Sequence, residues 1–341
     1  MASREDVIRM LQADMRDEHG ALILYLQHAF MMGEGEEAAE IEGAARDEMR
    51  HFRWLAQAIT QLGGVPTLDR TEMELGGTEV QEWMLRDVRA EEDAIAAYEQ
   101  HRDAIDDPRI KALIGRILTD ERAHLDLFRS LNEETAAESG AGEEEGEEKP
   151  AAMDGEAAAV LDYATRHEYT VVLQYLFHSF MTPDDEASRE WETVAINEMQ
   201  HLGWFGEMAA EAGRFPLFAR EMVHKGEDTK DMLDADLSAE RAVAAAYAQH
   251  AERFRDSPDH ADLVEILERA GENEEFHIHM FGLMAERAAA EQAPHQRPGV
   301  GATQPSRDGD ASESEPAPEE PPSATSTDSP GFTVGSLKDS H

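Results

Sequence analysis

The chain has 341 residues, 74 of them Asp or Glu against 30 Lys or Arg, giving a net charge of −44, and it has no cysteine. Such acidity argues against nucleic acid or anionic membranes as partners, and the missing thiols exclude thiolate zinc sites, iron-sulfur clusters and thiol catalysis. No stretch is apolar for long enough to span a bilayer, and Met1 to Asp17 is charged and amphipathic rather than a signal peptide, so a cytoplasmic protein long enough for two domains is expected.

The first predicted helix runs from about Arg4 to Met32. Ile8, Leu11, Met15, Glu18, Leu22 and Tyr25 recur along it every three or four residues, which puts Glu18 inside an apolar stripe. A Gly/Glu turn at 33–36 returns the chain antiparallel into a second helix, from about Glu37 to Leu62. Its inner face reads Ile41, Ala45, Glu48, Leu55, Ile59 and Leu62, and Gly63-Gly64 with Pro66 stops it. The connection from Gly63 to about Thr78 is too long for a turn between neighbouring helices and reads as a crossover along a bundle. A third helix, Glu79 to about Ile105, aligns Val88, Glu91, Ile95 and Tyr98. A fourth, about Arg109 to Leu131, aligns Ile114, Ile117, Glu121, His124 and Phe128. Each helix thus carries a carboxylate within its apolar face.

Residues 132–153 form a Glu/Gly/Ala run with little to bury, the composition of a disordered acidic linker. Then the pattern restarts. Glu18, Tyr25, His28 and Met31 return 150 residues later as Glu168, Tyr175, His178 and Met181, and Glu48 with His51 returns as Glu198 with His201. Tyr98-Glu99-Gln100-His101 returns as Tyr247-Ala248-Gln249-His250, shifted by 149, which maps Glu91 onto Glu240 but Glu92 onto Arg241. Glu91 is therefore the repeated position. Glu121 and His124 return as Glu274 and His277 after a small insertion. The expected fold is all-α, two tandem four-helix bundles at 1–131 and 154–290, each with a long crossover. Residues 291–330 have the Pro/Ser/Thr/acid composition of a flexible tether, and 331–341 end the chain with the apolar stretch Gly331-Phe332-Thr333-Val334-Gly335-Ser336-Leu337-Lys338.

On a helix advancing about 100° per residue, a Glu and a His three apart share a face and can grip one ion. Glu48/His51, Glu121/His124, Glu198/His201 and Glu274/His277 have this spacing. With Glu18 and Glu91 in one half, and Glu168 and Glu240 in the other, each half holds four Glu and two His in phase with four apolar stripes. That is the donor inventory of a carboxylate-bridged dimetal centre in a bundle core. Four carboxylates neutralise two divalent ions. Oxygen-dominated donors with one imidazole per metal suit iron or manganese better than a closed zinc site.

These residues resemble the bacterioferritin branch of the ferritin-like family. Glu18 through Tyr25, His28 and Met31 are similar to its first helix and Asp120-Glu121-Arg122-Ala123-His124 to its fourth, and the resemblance covers about 1–131 and 154–290. It implies two ferritin-like bundles acting as a ferroxidase, in which Fe(II) is oxidised by oxygen or peroxide and ferric iron passes to a mineral. It implies that Glu48 and Glu121 bridge two irons, with Glu18 and His51 on one and Glu91 and His124 on the other. In the second half Glu198 and Glu274 would bridge, and Glu168, His201, Glu240 and His277 would be terminal. Tyr25 and Tyr175, close to Glu18 and Glu168 on the helix, are candidates to quench radicals. Met49 and Met199, inside Glu-Met-Arg-His and Glu-Met-Gln-His, match the Met that ligates haem b at a two-fold interface, which the two halves would form as an intramolecular pseudo-dimer or within a higher homo-oligomer.

The family's cage-completing fifth helix has no counterpart after either bundle, so a self-assembled storage cage is not expected. The tail on its tether resembles the cargo-loading peptide by which ferritin-like enzymes enter encapsulin shells. It implies an encapsulin shell protein as partner through Thr333, Val334, Gly335, Ser336 and Leu337, and a place inside that nanocompartment. The same donors also serve dimetal oxidases or oxygenases of organic substrates and manganese catalases, and a non-enzymatic acidic iron-binding protein fits the charge; all three stay open at this point.

Overall fold

A computed structural model describes residues 2–139 and 153–292; most of the expected linker, the tether and the tail at 331–341 lie outside the described residues. The first half contains α1 (Arg4–Met32), α2 (Glu36–Gln61), α3 (Val80–Ala104) and α4 (Pro108–Ser139). The second contains α5 (Gly155–Met181), α6 (Asp185–Glu211), α7 (Thr229–Phe254) and α8 (Ala261–Gln292). A 3-10 turn at Pro258–His260 accounts for the insertion before α8.

Local chemistry sets the helix ends. Ser3 caps α1 by accepting from the Asp6 backbone while the Asp6 carboxylate accepts from the Ser3 backbone, and Asp154, Asp184 and Asp228 cap α5, α6 and α7. Gly63 (φ 77°) and Gly213 (φ 70°) take the left-handed conformation that ends α2 and α6, where a side chain would be strained. α4 runs through Ser139 instead of stopping at Leu131. Leu131 is still buried and the Glu/Ala-rich segment after it is a good helix former, so the expected linker boundary at 132 falls within the helix. The stripes also sit slightly rotated from expectation. Ile8, Leu62, Val88 and Ile95 are only partly buried, and Val7, Trp83 and Met84 take deep positions.

Within each half the helices pack as two hairpins, α1 with α2 and α3 with α4, then α5 with α6 and α7 with α8. α1 also touches α3 and α2 touches α4, an arrangement the second half repeats. Each long crossover carries the chain between hairpins, so the four helices surround one axis and their carboxylate-bearing stripes converge.

The halves join through α1 on α6 and α2 on α5. Tyr169 Oη lies 2.7 Å from His19 Nε2, and these two residues occupy the same position in the repeat. A residue meets its own counterpart only near a two-fold axis, so the seam is pseudo-symmetric. One apolar cluster crosses it, from Phe30 and Phe52 to Tyr169, Phe177 and Phe180. Packing there is close: a Cβ added to Gly206 would meet the Phe30 ring at 2.7 Å. The two crossovers also clasp each other. Arg70 donates to Tyr169 Oη (3.1 Å) and the Phe218 carbonyl (2.8 Å), and Arg220 pairs with Asp69 (2.6 Å). No helix among the described residues is long and apolar enough to cross a membrane.

Candidate metal centres

Twelve side chains expected from the spacing converge in two clusters, and none is more than 5% exposed. In the first half, Glu18, Glu48, His51 and Glu121 offer donor atoms that all lie within 4.8 Å of one another, and so do Glu48, Glu91, Glu121 and His124. The second half forms the same two groups, Glu168, Glu198, His201 and Glu274, and Glu198, Glu240, Glu274 and His277. Two residues of each half, Glu48 with Glu121 and Glu198 with Glu274, belong to both of its groups. Glu92 stays outside, exposed and paired with Arg129 at 2.7 Å.

His51 Nδ1 stands 3.2 Å from Glu18, 3.1 Å from Glu48 and 3.0 Å from Glu121. Glu48 turns its other oxygen to His124 Nδ1 at 3.0 Å, and Glu91 lies 3.5 Å from the same nitrogen. In the second half, His201 Nδ1 is 2.9 Å from Glu198 and 3.1 Å from Glu274, whose other oxygens lie 2.9 and 3.1 Å from His277 Nδ1. Close as they are, Glu48 Oε1, Glu91 Oε2, Glu121 Oε1, His124 Nδ1, both oxygens of Glu198 and His201 Nδ1 are buried without a well-directed hydrogen bond. Buried polar atoms are rarely left so. Clustered donors that leave so many atoms without a partner have the arrangement that a pair of divalent cations satisfies, and the set fits iron or manganese by its chemistry.

Electrostatics supports the same reading. Burial and then the charge of Glu48 hold Glu18 and Glu121 well above the usual carboxylate range, and burial raises Glu91 and Glu168 and pushes Glu240 up to about 7. Burial acts in the same direction on Glu48, but the close approach of Glu18, His124 and His51 outweighs it and holds that carboxyl low. Burial would depress His124 and His277, yet the surrounding carboxylates hold both at about 12. A cation-free cluster therefore keeps several protons, and a divalent ion that enters displaces them.

Tyr25 Oη donates to Glu91 at 2.7 Å and Tyr175 donates to Glu240, so each meets the carboxylate of the third helix of its half rather than Glu18 or Glu168 on its own helix. The partners of Glu18 and Glu168 are Tyr98 and Tyr247, which sequence reasoning used to align the repeat and, for Tyr98, placed on the inner face without a role at the site. A second layer was also missed. His28 Nδ1 contacts Asp87 at 2.8 Å and His178 Nδ1 contacts Asp236 at 2.9 Å, all four side chains fully buried. Asp236 also accepts from Gln174 (2.8 Å) and the Trp191 indole (2.7 Å). These pairs tie the first helix of each half to the third, one turn from Glu91 and Glu240. The signal was present: Asp87 and Asp236 recur at the offset of Glu91 and Glu240. Met49 and Met199 are partly buried against the cluster that fills the seam.

A sequence model of the ferritin-like domain matches residues 8–137. The bacterioferritin of Desulfovibrio desulfuricans is 30% identical over 139 residues, which cover 38% of this chain and 78% of that protein. Among solved structures, Mycobacterium tuberculosis bacterioferritin is 26% identical, with a TM-score of 0.38 over 40% of this chain and 90% of its own. Rhodobacter capsulatus bacterioferritin, described with a metal-free dinuclear site and a haem iron, is 23% identical, with a TM-score of 0.37 over 43% of this chain and all of its own.

Proposed function

The chain belongs to the bacterioferritin branch of the ferritin-like family, and from that premise we propose that each half oxidises ferrous to ferric iron at its paired site. The observation that carries this reading is the pair of donor groups in each half that share two carboxylates. Two ferrous ions are the substrate. Glu48 and Glu121 bridge them, Glu18 and His51 complete one position, and Glu91 and His124 the other; Glu198, Glu274, Glu168, His201, Glu240 and His277 repeat the arrangement. Held side by side, the two ions each give one electron to a shared oxidant: dioxygen takes two protons and leaves as hydrogen peroxide, or hydrogen peroxide takes two protons and leaves as two waters. The carboxylates and imidazoles that lose protons as the ions bind are the local source of acid. Tyr25 and Tyr175, bonded to Glu91 and Glu240, stand where an oxidising radical would be quenched.

The joint variant Glu48→Ala with Glu198→Ala tests the assignment. Iron-dependent oxygen uptake is lost while helix content by circular dichroism is kept; normal uptake refutes it. Faster disproportionation of peroxide by manganese-loaded protein than oxidation of iron would move the reading to a catalase. Haem b is a separate part of the proposal: Met49 and Met199 would supply the two thioethers, and the visible spectrum of the purified protein decides it.

The final part concerns location. Among the described residues no helix follows α4 before α5, or follows α8, to close a cage. The stretch Thr333 to Lys338 would dock in an encapsulin shell, with the ferric product stored inside the shell. Deletion of 331–341 then abolishes co-purification with a shell protein, and unchanged loading sinks this part alone.

A further inference from the structure

The two centres share their donors but not what stands behind them. In the first half, each histidine that turns Nδ1 to the glutamates presents Nε2 to a second carboxylate. His51 Nε2 lies 3.3 Å from Asp120 and His124 Nε2 lies 3.4 Å from Asp47. Asp120 is nearly buried and Asp47 half-buried, and Arg50 reaches both, at 3.9 and 2.5 Å. At the offset that takes Glu48 to Glu198, Asp47 becomes Asn197 and Arg50 becomes Gln200. At the offset that takes Glu121 to Glu274, Asp120 becomes Asn273. Both carboxylates are replaced by the amide of the same shape. His277 Nε2, the counterpart of the nitrogen that meets Asp47, is buried with no hydrogen-bond partner.

The approaches differ in the same sense. A cavity of about 420 Å³ reaches Glu18, Glu48 and Glu121 in the first half, and its walls include Asp17, Glu72, Glu74 and Asp93. Arg86 and Arg89 share that wall, Arg86 held by Glu82 at 2.7 Å, so the wall's acids outnumber its cations by two. The helical positions that match Asp17, Arg86, Arg89 and Asp93 are His167, Ala235, Ser238 and Ala242. The crossovers themselves are fastened alike: the Thr71 and Gly76 backbones donate to the Arg16 carbonyl and to Gln27 on α1, as the Glu221 and His224 backbones donate to Thr170 and Gln174 on α5.

A carboxylate behind a ligating imidazole pulls on the N–H, fixes the ring and raises the basicity of the coordinating nitrogen, and its loss typically costs about 10- to 100-fold in metal affinity. A neutral amide does this more weakly. Arg50 and Arg116 balance Asp47 and Asp120 (2.5 and 2.9 Å), whereas the matching Asn197, Gln200, Asn273 and Arg269 leave one positive charge. The first centre thus stays the less positive, which favours the higher oxidation state, and an acidic approach also concentrates cations at its mouth. We infer that the tandem centres are unequal: Asp47 and Asp120 are positioning residues that, through His124 and His51, make the first centre the one that binds and oxidises iron first, while Asn197 and Asn273 leave the second weaker and slower. This rests on the dimetal reading above and deepens it.

The test uses the full chain and Co(II), whose visible absorption reports binding without any oxidation. Titrated anaerobically, the protein fills in two phases separated about tenfold or more in affinity. The phases are assigned with Glu48→Ala/Glu121→Ala and Glu198→Ala/Glu274→Ala, which each remove one centre. The isosteric pair Asp47→Asn/Asp120→Asn, which leaves every proposed ligand in place, moves the tight phase onto the weak one; Asn197→Asp/Asn273→Asp moves the weak phase up. Mössbauer spectra of ⁵⁷Fe-loaded protein at limiting oxygen show ferric iron first in the centre that the Glu198→Ala/Glu274→Ala protein retains. A single phase, or two phases that neither isosteric pair shifts, overturns the inference. Unequal phases that respond as stated but bring no iron oxidation in either half would instead defeat the ferroxidase reading and leave the inequality standing.

Discussion

The first and second centres differ in a way that separates what burial enforces from what it leaves free. All six donors of Glu18, Glu48, His51, Glu91, Glu121 and His124 have identical counterparts, because at most 5% exposure a missing partner would strand a buried charge. A step outward, where side chains are less deeply buried than the donors, Asn197 and Asn273 stand in place of Asp47 and Asp120, and His167, Ala235, Ser238 and Ala242 in place of Asp17, Arg86, Arg89 and Asp93. Geometry is repeated and charge is not. The duplication therefore yields two sites of one shape set at different electrostatic levels.

The largest effect expected from this contrast is kinetic. Glu48→Ala alone removes most of the initial rate of ferrous oxidation, roughly tenfold, whereas Glu198→Ala alone removes less than about half; stopped-flow oxidation at substoichiometric iron measures both. Equal losses would break the comparison.

Next comes the seam that holds the halves together. Phe30 lies against Gly206, so Phe30→Ala opens a void between them and costs about 3 to 5 kcal/mol in denaturant unfolding. If the halves unfold separately, the variant also splits one transition into two, and an unchanged midpoint would show that the seam does not couple them.

The smallest effect is a pH slope, and it sharpens the contrast between empty and filled sites. Glu240 is raised from 4.5 to about 7, so its contribution to cation-free stability is complete below pH 4.5 and lost as pH climbs toward 7. His124 and His277, raised from 6.5 to about 12, contribute fully below pH 6.5 and lose that contribution as pH climbs further. Glu48 and Glu198, held low, act oppositely and lose their contribution as pH falls below 4.5. Cation-free protein is thus most stable near pH 4.5 and weakens above, more steeply past 6.5, by about 1 kcal/mol per pH unit per group. Binding of a divalent ion releases protons and tightens with pH. Thermal melts with and without Co(II), and pH-stat titration, check both; a melting point of cation-free protein that rises from pH 6.5 to 8.5 would contradict the assignment.

Helix period and repeat were enough to read eight helices, the tandem arrangement and the twelve convergent donors, including Glu91 over Glu92. Period 3.6 tells which residues share a face, and duplication filters coincidence from that list. What the sequence could not decide was contact between faces, because that depends on how packed helices cross and slide. Only the tertiary structure set Tyr25 on Glu91 and Tyr98 on Glu18, linked His28 to Asp87, brought His19 onto Tyr169 at the pseudo-two-fold seam, and put Asp47 and Asp120 behind the two histidines. The letters Asp and Asn at those two positions were legible all along. Their meaning came from standing 3.3 and 3.4 Å behind the two rings whose other nitrogens face the shared glutamates, a relation between helices and not along one.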